Sequence, residues 1–476
     1  MQAFLYTVIF FEGYVVLAAE LLAIRQMTPV AGSSTDVISI IIAAVLMPLA
    51  FGYDAGGRFK APEGQEQYLG IRKKLAQNFL ISGFILCLGL SGYVIKHFFE
   101  ILDQILPYND RLLYVAIYSV IFLITPVFLL GQTIPLLTNL FEKENLPRVT
   151  GKILFFSTMG SFVGSIVSTI VLMMTIGVYN TVIVVITILA LLGIGLNPKK
   201  LSKMSLAFVG IIFSVWFLNA NHMKEKLDIV EDNAYNIIQI KDIAGGGKIL
   251  MLDESFSAGI REGNLIFPYT TFIQDVFLYP IETPATPKKD ILIIGAGGFT
   301  MGLYDQHNNY TYVDIDKSLK EISEKYFLEQ ELGENKVFAA QPARRFLNQV
   351  PDDVKYDFVV VDVFRGKTMP EMLVTQEFFQ SVKRVLKPEA RLVMNVMICP
   401  NLSDDFSVNI DATIRSVFPT ANYFLTGAEA INYNGWKEYK RENGYNCAIN
   451  GLYTYFHTGK KPVIYTDNKN AVSFDY

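Results

Sequence analysis

Charge is scarce in this chain. Asp, Glu, Lys and Arg make up 18% of its 476 residues, against about a quarter in a typical soluble protein. The deficit falls almost entirely in the first half, so that half is not an ordinary soluble domain. No excess of basic charge exists either: the formal net charge is −4 and no basic stripe marks the second half, which argues against nucleic acid as a partner. Cysteine is rare, and Cys87, Cys399 and Cys447 follow no metal-ligand spacing and no disulfide framework. Four histidines without ligand spacing make a zinc centre a poor expectation. Neither a metal nor a prosthetic group is expected.

What the first half has instead is long apolar runs. A bilayer-crossing helix needs about 20 such residues. The candidates are 3–24, 37–53, 75–95, 112–130, 153–176 and 178–196, with a shorter run at 204–218. They predict a polytopic α-helical membrane bundle of about seven spans in a multi-pass membrane protein. The start, MQAFLYTVIFFEGYVVL, lacks a basic n-region and a small-residue cleavage site, and reads as a retained span. Arg58, Lys60, Arg72, Lys73 and Lys74 follow the second run; Lys143, Arg148 and Lys152 follow the fourth; Lys199, Lys200 and Lys203 follow the sixth. Such loops are cytoplasmic by the positive-inside rule. An odd number of spans then puts the rest of the chain outside the cytoplasm, whereas the supply of nucleotide substrates favours a cytoplasmic position. Glu12 and Glu20 lie within the first run, with Arg25 at its end. They are read either as a polar path through the bundle or as an ion pair that fixes helix packing.

From about Asp228 the pattern changes. Short β-type runs (AYNIIQI, KILMLD, GNLIF) predict a small antiparallel β unit. After ETPATPKK, the strands ILIIGA, YTYVDID, KVFAA, YDFVVVDV and ARLVMNV alternate with helical segments, which predicts a parallel, doubly wound α/β sheet of Rossmann-like type. The domain reading is 1–220 membrane, 228–282 β unit and 288–476 α/β. Gly295-Ala296-Gly297-Gly298 follows the first strand of that sheet, and Asp314 ends the next. Glycines allow a tight turn and close approach to a ligand, and a carboxylate at that distance can hold ribose hydroxyls. Thr300 occupies the last position of the dinucleotide fingerprint, so NAD is not expected. Asp362 ends the fourth strand, beside the first, where a carboxylate can take a proton from an amine, hold a cation, or merely cap a loop. Arg365 nearby can pair with it and weaken it as a base.

These residues resemble the spermidine/spermine synthase (polyamine aminopropyltransferase) family, and the whole chain resembles its integral-membrane, fused transporter-like branch. In the first half the resemblance rests on EGYVVLAAELLAIRQMTPVAGSS, FGYDAGGR, GQTIPLL and TGKILFFSTMGSFVGSIV. In the second it rests on AYNIIQI, LDESFSAGI, YVDID, the Asp362 segment with PEMLVTQEFF, and the terminal TDN. The resemblance implies a spermidine-synthase-type catalytic domain that takes decarboxylated S-adenosylmethionine as co-substrate, a polyamine or other amine as acceptor, the lipid bilayer as surroundings and a possible homodimer. It assigns Asp362 as the catalytic base opening the gate loop and Tyr235 and Tyr269 to the amine cleft. It assigns Gly295, Gly297, Gly298, Asp314 and Gln341 to the donor side.

The departures are specific. The family's G-G-G-D-G reads GAGGF, so Gly298 stands where an aspartate holds the aminopropyl ammonium. The second acid of the gate loop is Arg365, the adenine-side G-D pair is Gln341-Pro342, and the Y-H-E triplet is Tyr269-Thr270-Thr271. Each missing charge-assisted hydrogen bond is worth about 1.5–3 kcal/mol. The alternatives are therefore an S-adenosylmethionine-dependent methyltransferase-like enzyme, or a catalytically degenerate nucleoside-sensing domain on a transporter-like bundle. Glu231, Asp253, Asp275 and Asp467 are candidate substitute anchors for a cation.

Overall fold

The computed structural model describes residues 2–32, 34–59, 65–106, 110–140, 146–199, 202–364, 369–399, 402–422 and 449–451. The chain divides into two compact units, the first running to Ala234 and the second beginning at Tyr235.

The first unit is helical: α1 (Gln2–Ala31), α2 (Thr35–Gly57), α3 (Gln65–Gly89), α4 (Gly92–Ile105), α5 (Arg111–Ser119), α6 (Thr125–Gly131), α7 (Thr133–Thr138), α8 (Leu146–Ile166), α9 (Met173–Thr175), α10 (Gly177–Leu196), α11 (Lys203–Asn219) and α12 (Asn221–Lys226). In hydrocarbon every backbone polar group must be satisfied within its own segment, so uncharged runs such as that of α10 can only be helical. Among the described residues five helices are long and apolar enough to cross a bilayer, or six if the bent pair α3–α4 is one span. These helices make the chain a multi-pass membrane protein. The 204–218 run forms α11, which at 17 residues is about 25 Å long, at the short end of the range for a crossing. The 75–95 run is broken instead of continuous, with α3 and α4 meeting at 69°. There Gly89 packs on the Phe122 ring, and Ser91 turns its hydroxyl back to Cys87 O at 2.5 Å.

Helices α1 and α8 run parallel in near contact of their backbones. A Cβ on Gly160 would lie 1.9 Å from Phe10 O, and the Ser161 hydroxyl donates to Gly13 O at 3.3 Å. Small residues at this interface permit the approach. The chain leaves the unit through the short strand β1 (Ile229–Asp232).

The second unit opens with the antiparallel strands β2 (Ile237–Ile243), β3 (Gly247–Leu252), β4 (Ser255–Arg261) and β5 (Asn264–Leu265), followed by the short helix α13 (Pro268–Ile273). Strand β4 is an addition to the sequence expectation, since SFSAGIR alternates too weakly to stand out. A parallel sheet follows, with β6 (Asp290–Ile294), β7 (Asn309–Asp314), α14 (Leu319–Ile322), β8 (Lys336–Ala340), α15 (Ala343–Gln349), β9 (Tyr356–Val361), α16 (Gln376–Arg384) and β10 (Leu386–Met394). Its order is β10-β9-β6-β7-β8, all pairs parallel. Strands β6 and β9 are almost continuously buried, as helices on both faces require. Beyond the sheet lie β11 (Val396–Ile398), α17 (Asp405–Val417) and β12 (Ile449–Gly451). The absence of a disulfide framework expected from the cysteine spacing is corrected here: Cys399 is disulfide-bonded. Antiparallel pairing of β11 with β12 joins segments about fifty residues apart, a proximity that no local spacing rule can foresee.

Candidate active site at the strand-order reversal

The order of the parallel sheet reverses between β6 and β9, and open α/β sheets bind ligands in the crevice beyond the carboxyl ends of such strands. Gly295 follows β6, Asp314 ends β7, Gln341 follows β8, Asp362 follows β9 and Asn395 follows β10. Ladder-type bonds hold this edge in register: Gly295 N to Val313 O (2.8 Å), Asp362 N to Ile294 O (2.8 Å) and Asn395 N to Val361 O (2.9 Å).

The turn after β6 needs its glycines. Gly295 has φ +93°, and a Cβ there would stand 1.9 Å from Asp362 O. Gly297 has φ +50° and faces the Ser257 hydroxyl. The turn presents its amide to the next strand: Ala296 N donates to Asp314 Oδ2 at 3.1 Å, and Asp316 N to Asp314 Oδ1 at 3.1 Å. Burial pushes the Asp314 carboxyl up to about 6 against the pull of those backbone bonds. Ile315, beside it, is an exposed apolar side chain. Asp316 is buried, taking Ser318 N and the Asn236 amide (2.8 Å). Tyr235 immediately precedes Asn236 in the chain. Gln341 turns out of β8 with its backbone N–H donating to Ala339 O at 3.0 Å.

Asp362 is enclosed by two side chains. Asn395 Nδ2 donates to its Oδ1 at 2.8 Å, and the Tyr269 hydroxyl lies 3.2 Å from its Oδ2 and 3.3 Å from Ser257 O. Burial raises the Asp362 carboxyl to about 6, while the bonds from Asn395 and Tyr269 oppose that rise. Burial first, and then the Asp362 charge, push the Tyr269 phenol well above its usual value. It is therefore a donor and not a base at neutral pH. The structure thus joins Asp362 to Tyr269, places Gly295, Gly297 and Asp314 along the same edge, and sets Gln341 farther along it after β8.

Asn395 was missed by the sequence reading. The signal was present in ARLVMNV: a polar residue ending an apolar strand at the ligand edge. The residue is 1% exposed, and its Oδ1 has no hydrogen-bond partner among the described residues. The departures also acquire a geometry. A Cβ on Gly298 would meet the Phe327 ring at 2.4 Å and Ala258 Cβ at 2.7 Å, so no side chain fits there. Thr270 and Thr271 spend their hydroxyls on Phe267 O (2.9 Å) and Leu265 O (3.2 Å). Arg365, the terminal TDN and Asp467 lie outside the described residues.

The spermine/spermidine synthase domain family matches residues 267–444. The chain is 32% identical to the polyamine aminopropyltransferase of Vibrio vulnificus, over 36% of this chain and 56% of that protein. It is 28% identical to that of Sulfurisphaera tokodaii, over 44% and 70% of the respective chains. It is also 32% identical to the N-terminal histidine N-methyltransferase of Emericella nidulans, over 34% of this chain and 30% of that protein. The chain thus spans little more than half of the Vibrio relative and less than a third of the Emericella one. The second unit is a distant homologue of the polyamine aminopropyltransferases and spermidine synthases.

Proposed function

We propose that the second unit transfers an aminopropyl group from decarboxylated S-adenosylmethionine to an amine. The observation that carries this is Asp362 at the strand-order reversal, half-buried, oriented by Asn395 and Tyr269 and touching the glycine turn. Asp314 would receive the ribose, with Ile315 offering an apolar face to the base. The amine lone pair attacks the carbon next to the sulfonium, and the carbon–sulfur bond breaks. Its electron pair leaves on sulfur as methylthioadenosine, and the amine proton passes to Asp362. A carboxyl near 6 is a better proton acceptor than an ordinary aspartate and is still ionised at neutral pH. Holding both reactants in line supplies much of the remaining acceleration. With the helical unit on the same chain, the protein would be a membrane-embedded member of this class, like the transporter-fused branch it resembles.

One observation favours a second reading. The wall formed by Phe327 and Ala258 leaves no room for an acid at position 298, which removes an anion that would repel the carboxylate distinguishing S-adenosylmethionine, a methyl donor, from its decarboxylated form. The test is to incubate the full chain in detergent with each donor and a panel of amines, and to identify the sulfur product by mass spectrometry. Amine-dependent methylthioadenosine supports aminopropyl transfer, and S-adenosylhomocysteine supports methylation. Donor binding without either product would leave a sensor.

A further inference from the structure

The first unit by itself shows on which side of the membrane the chain leaves it. Its helices have one basic end. The side chain of Arg72, near the start of α3, donates to Gly195 O (2.9 Å) and Leu196 O (3.1 Å) at the end of α10. Phe4 at the start of α1 packs on Gly195, and α8 runs parallel to α1, so Arg148 and Lys152 belong to this end too. Lys199 and Lys203 follow α10 directly, where Asn197 ties Ser202 and Ser205 to the turn at 2.7 and 2.8 Å.

The exit lies at the other end. Asp232, which closes β1, accepts from Tyr179 N at 2.8 Å at the start of α10 and pairs with Lys224. Asn233 O accepts from Arg25 in the last third of α1. Asn219, the last residue of α11, donates to the Ser91 hydroxyl beyond α3 at 2.8 Å. Helix α10 has 20 residues, so about 30 Å separates its two ends. The cations at the exit end are partly cancelled, Arg111 by Asp36 at 2.8 Å and Lys224 by Asp232. The end richer in Lys/Arg marks the cytoplasmic face, and carboxylates beside it, such as Asp54 on Arg58, count for little. The exit end is then extracytoplasmic, whatever the total number of spans. Independently, Cys399 of the second unit is disulfide-bonded, and such bonds persist in oxidising compartments and are rare in the cytosol.

We infer that the second unit, with its candidate site, works on the extracytoplasmic side of the membrane. On the transferase reading proposed above, this sets a place in the reaction sequence. A sulfonium nucleoside carries a fixed charge that hydrocarbon excludes, so the donor made inside the cell must be delivered by a carrier-mediated export step.

The test is cysteine accessibility in intact cells, with wild type as the blank. Asp353→Cys places a thiol on the exposed surface of the second unit, and Lys152→Cys places one at the basic end. A membrane-impermeant maleimide should label Asp353→Cys in intact cells and Lys152→Cys only after permeabilisation. The reverse pattern overturns the inference. A second readout needs no variant: in acid-quenched wild-type cells, Cys399 should resist alkylation until reduced, and a freely alkylated Cys399 counts against the proposal. Neither readout involves turnover, so failure here is separable from failure of the enzymatic assignment.

Discussion

Gly160 and Gly295 sit in the two units, and each would put a Cβ 1.9 Å from a carbonyl oxygen, that of Phe10 and of Asp362 respectively. The reasons differ. Gly160 is ordinary helix, and its bare Cα lets α8 lie on the backbone of α1, where hydrocarbon provides no hydrophobic drive to hold helices together. Gly295 has φ +93° and folds the end of β6 back against the residue that carries the candidate base. One glycine serves association of spans, the other the shape of a site. The same contrast holds for polar groups. In the helical unit they are given to carbonyl oxygens, as Ser91 to Cys87 O and Arg72 to Gly195 O, whereas in the second unit desolvation pushes the Asp314 and Asp362 carboxyls up to about 6.

The largest effect should separate chemistry from fold. Asp362→Asn keeps the shape and removes the proton acceptor, so methylthioadenosine release should fall by about 10²–10⁴-fold with the melting temperature little changed. Full activity in that variant would remove Asp362 from the mechanism.

Gly295→Ala and Gly160→Leu form the next pair and test the comparison directly. The first combines left-handed strain of about 1–3 kcal/mol with a backbone clash, and should abolish donor binding by calorimetry while the protein remains monodisperse in detergent. The second overpacks the α1–α8 contact at a cost of about 1–3 kcal/mol, and should lower the melting temperature while leaving donor affinity intact. If the two variants behaved alike, the units would be coupled in a way this division of roles denies.

Smaller effects lie in the pH profile. A carboxyl raised to about 6 by burial is neutral below that value, so kcat/KM should fall as pH drops through about 6. Asn395 donates to the ionised form and holds the pKa down. Asn395→Ala should therefore move the acid limb to higher pH, and Tyr269→Phe should do so to a lesser degree. An acid limb that stays in place in both variants would mean another group titrates.

Much of this is legible in the chain itself. Apolar runs of span length and β-branched runs ended by Gly295, Asp314 and Asp362 announce their own elements, because burial dictates composition locally. The Tyr269–Asp362 contact spans 93 residues and the Asn395–Asp362 contact 33, and neither leaves a mark in the spacing. Strand β4 was hidden because SFSAGIR has little alternation, and the break after Gly89 because an apolar run continues through it. The bond at Cys399 leaves no mark in the spacing of three cysteines.

The sequence alone determined that a membrane-spanning helical part precedes an α/β part with a glycine turn and carboxylates at its strand ends, since hydrophobic periodicity and turn chemistry act over a few residues. Only the tertiary structure decided which side chains enclose Asp362, that no side chain fits at Gly298, and at which end of α10 the chain departs. Those are matters of packing between segments far apart in the chain, which local pattern does not encode.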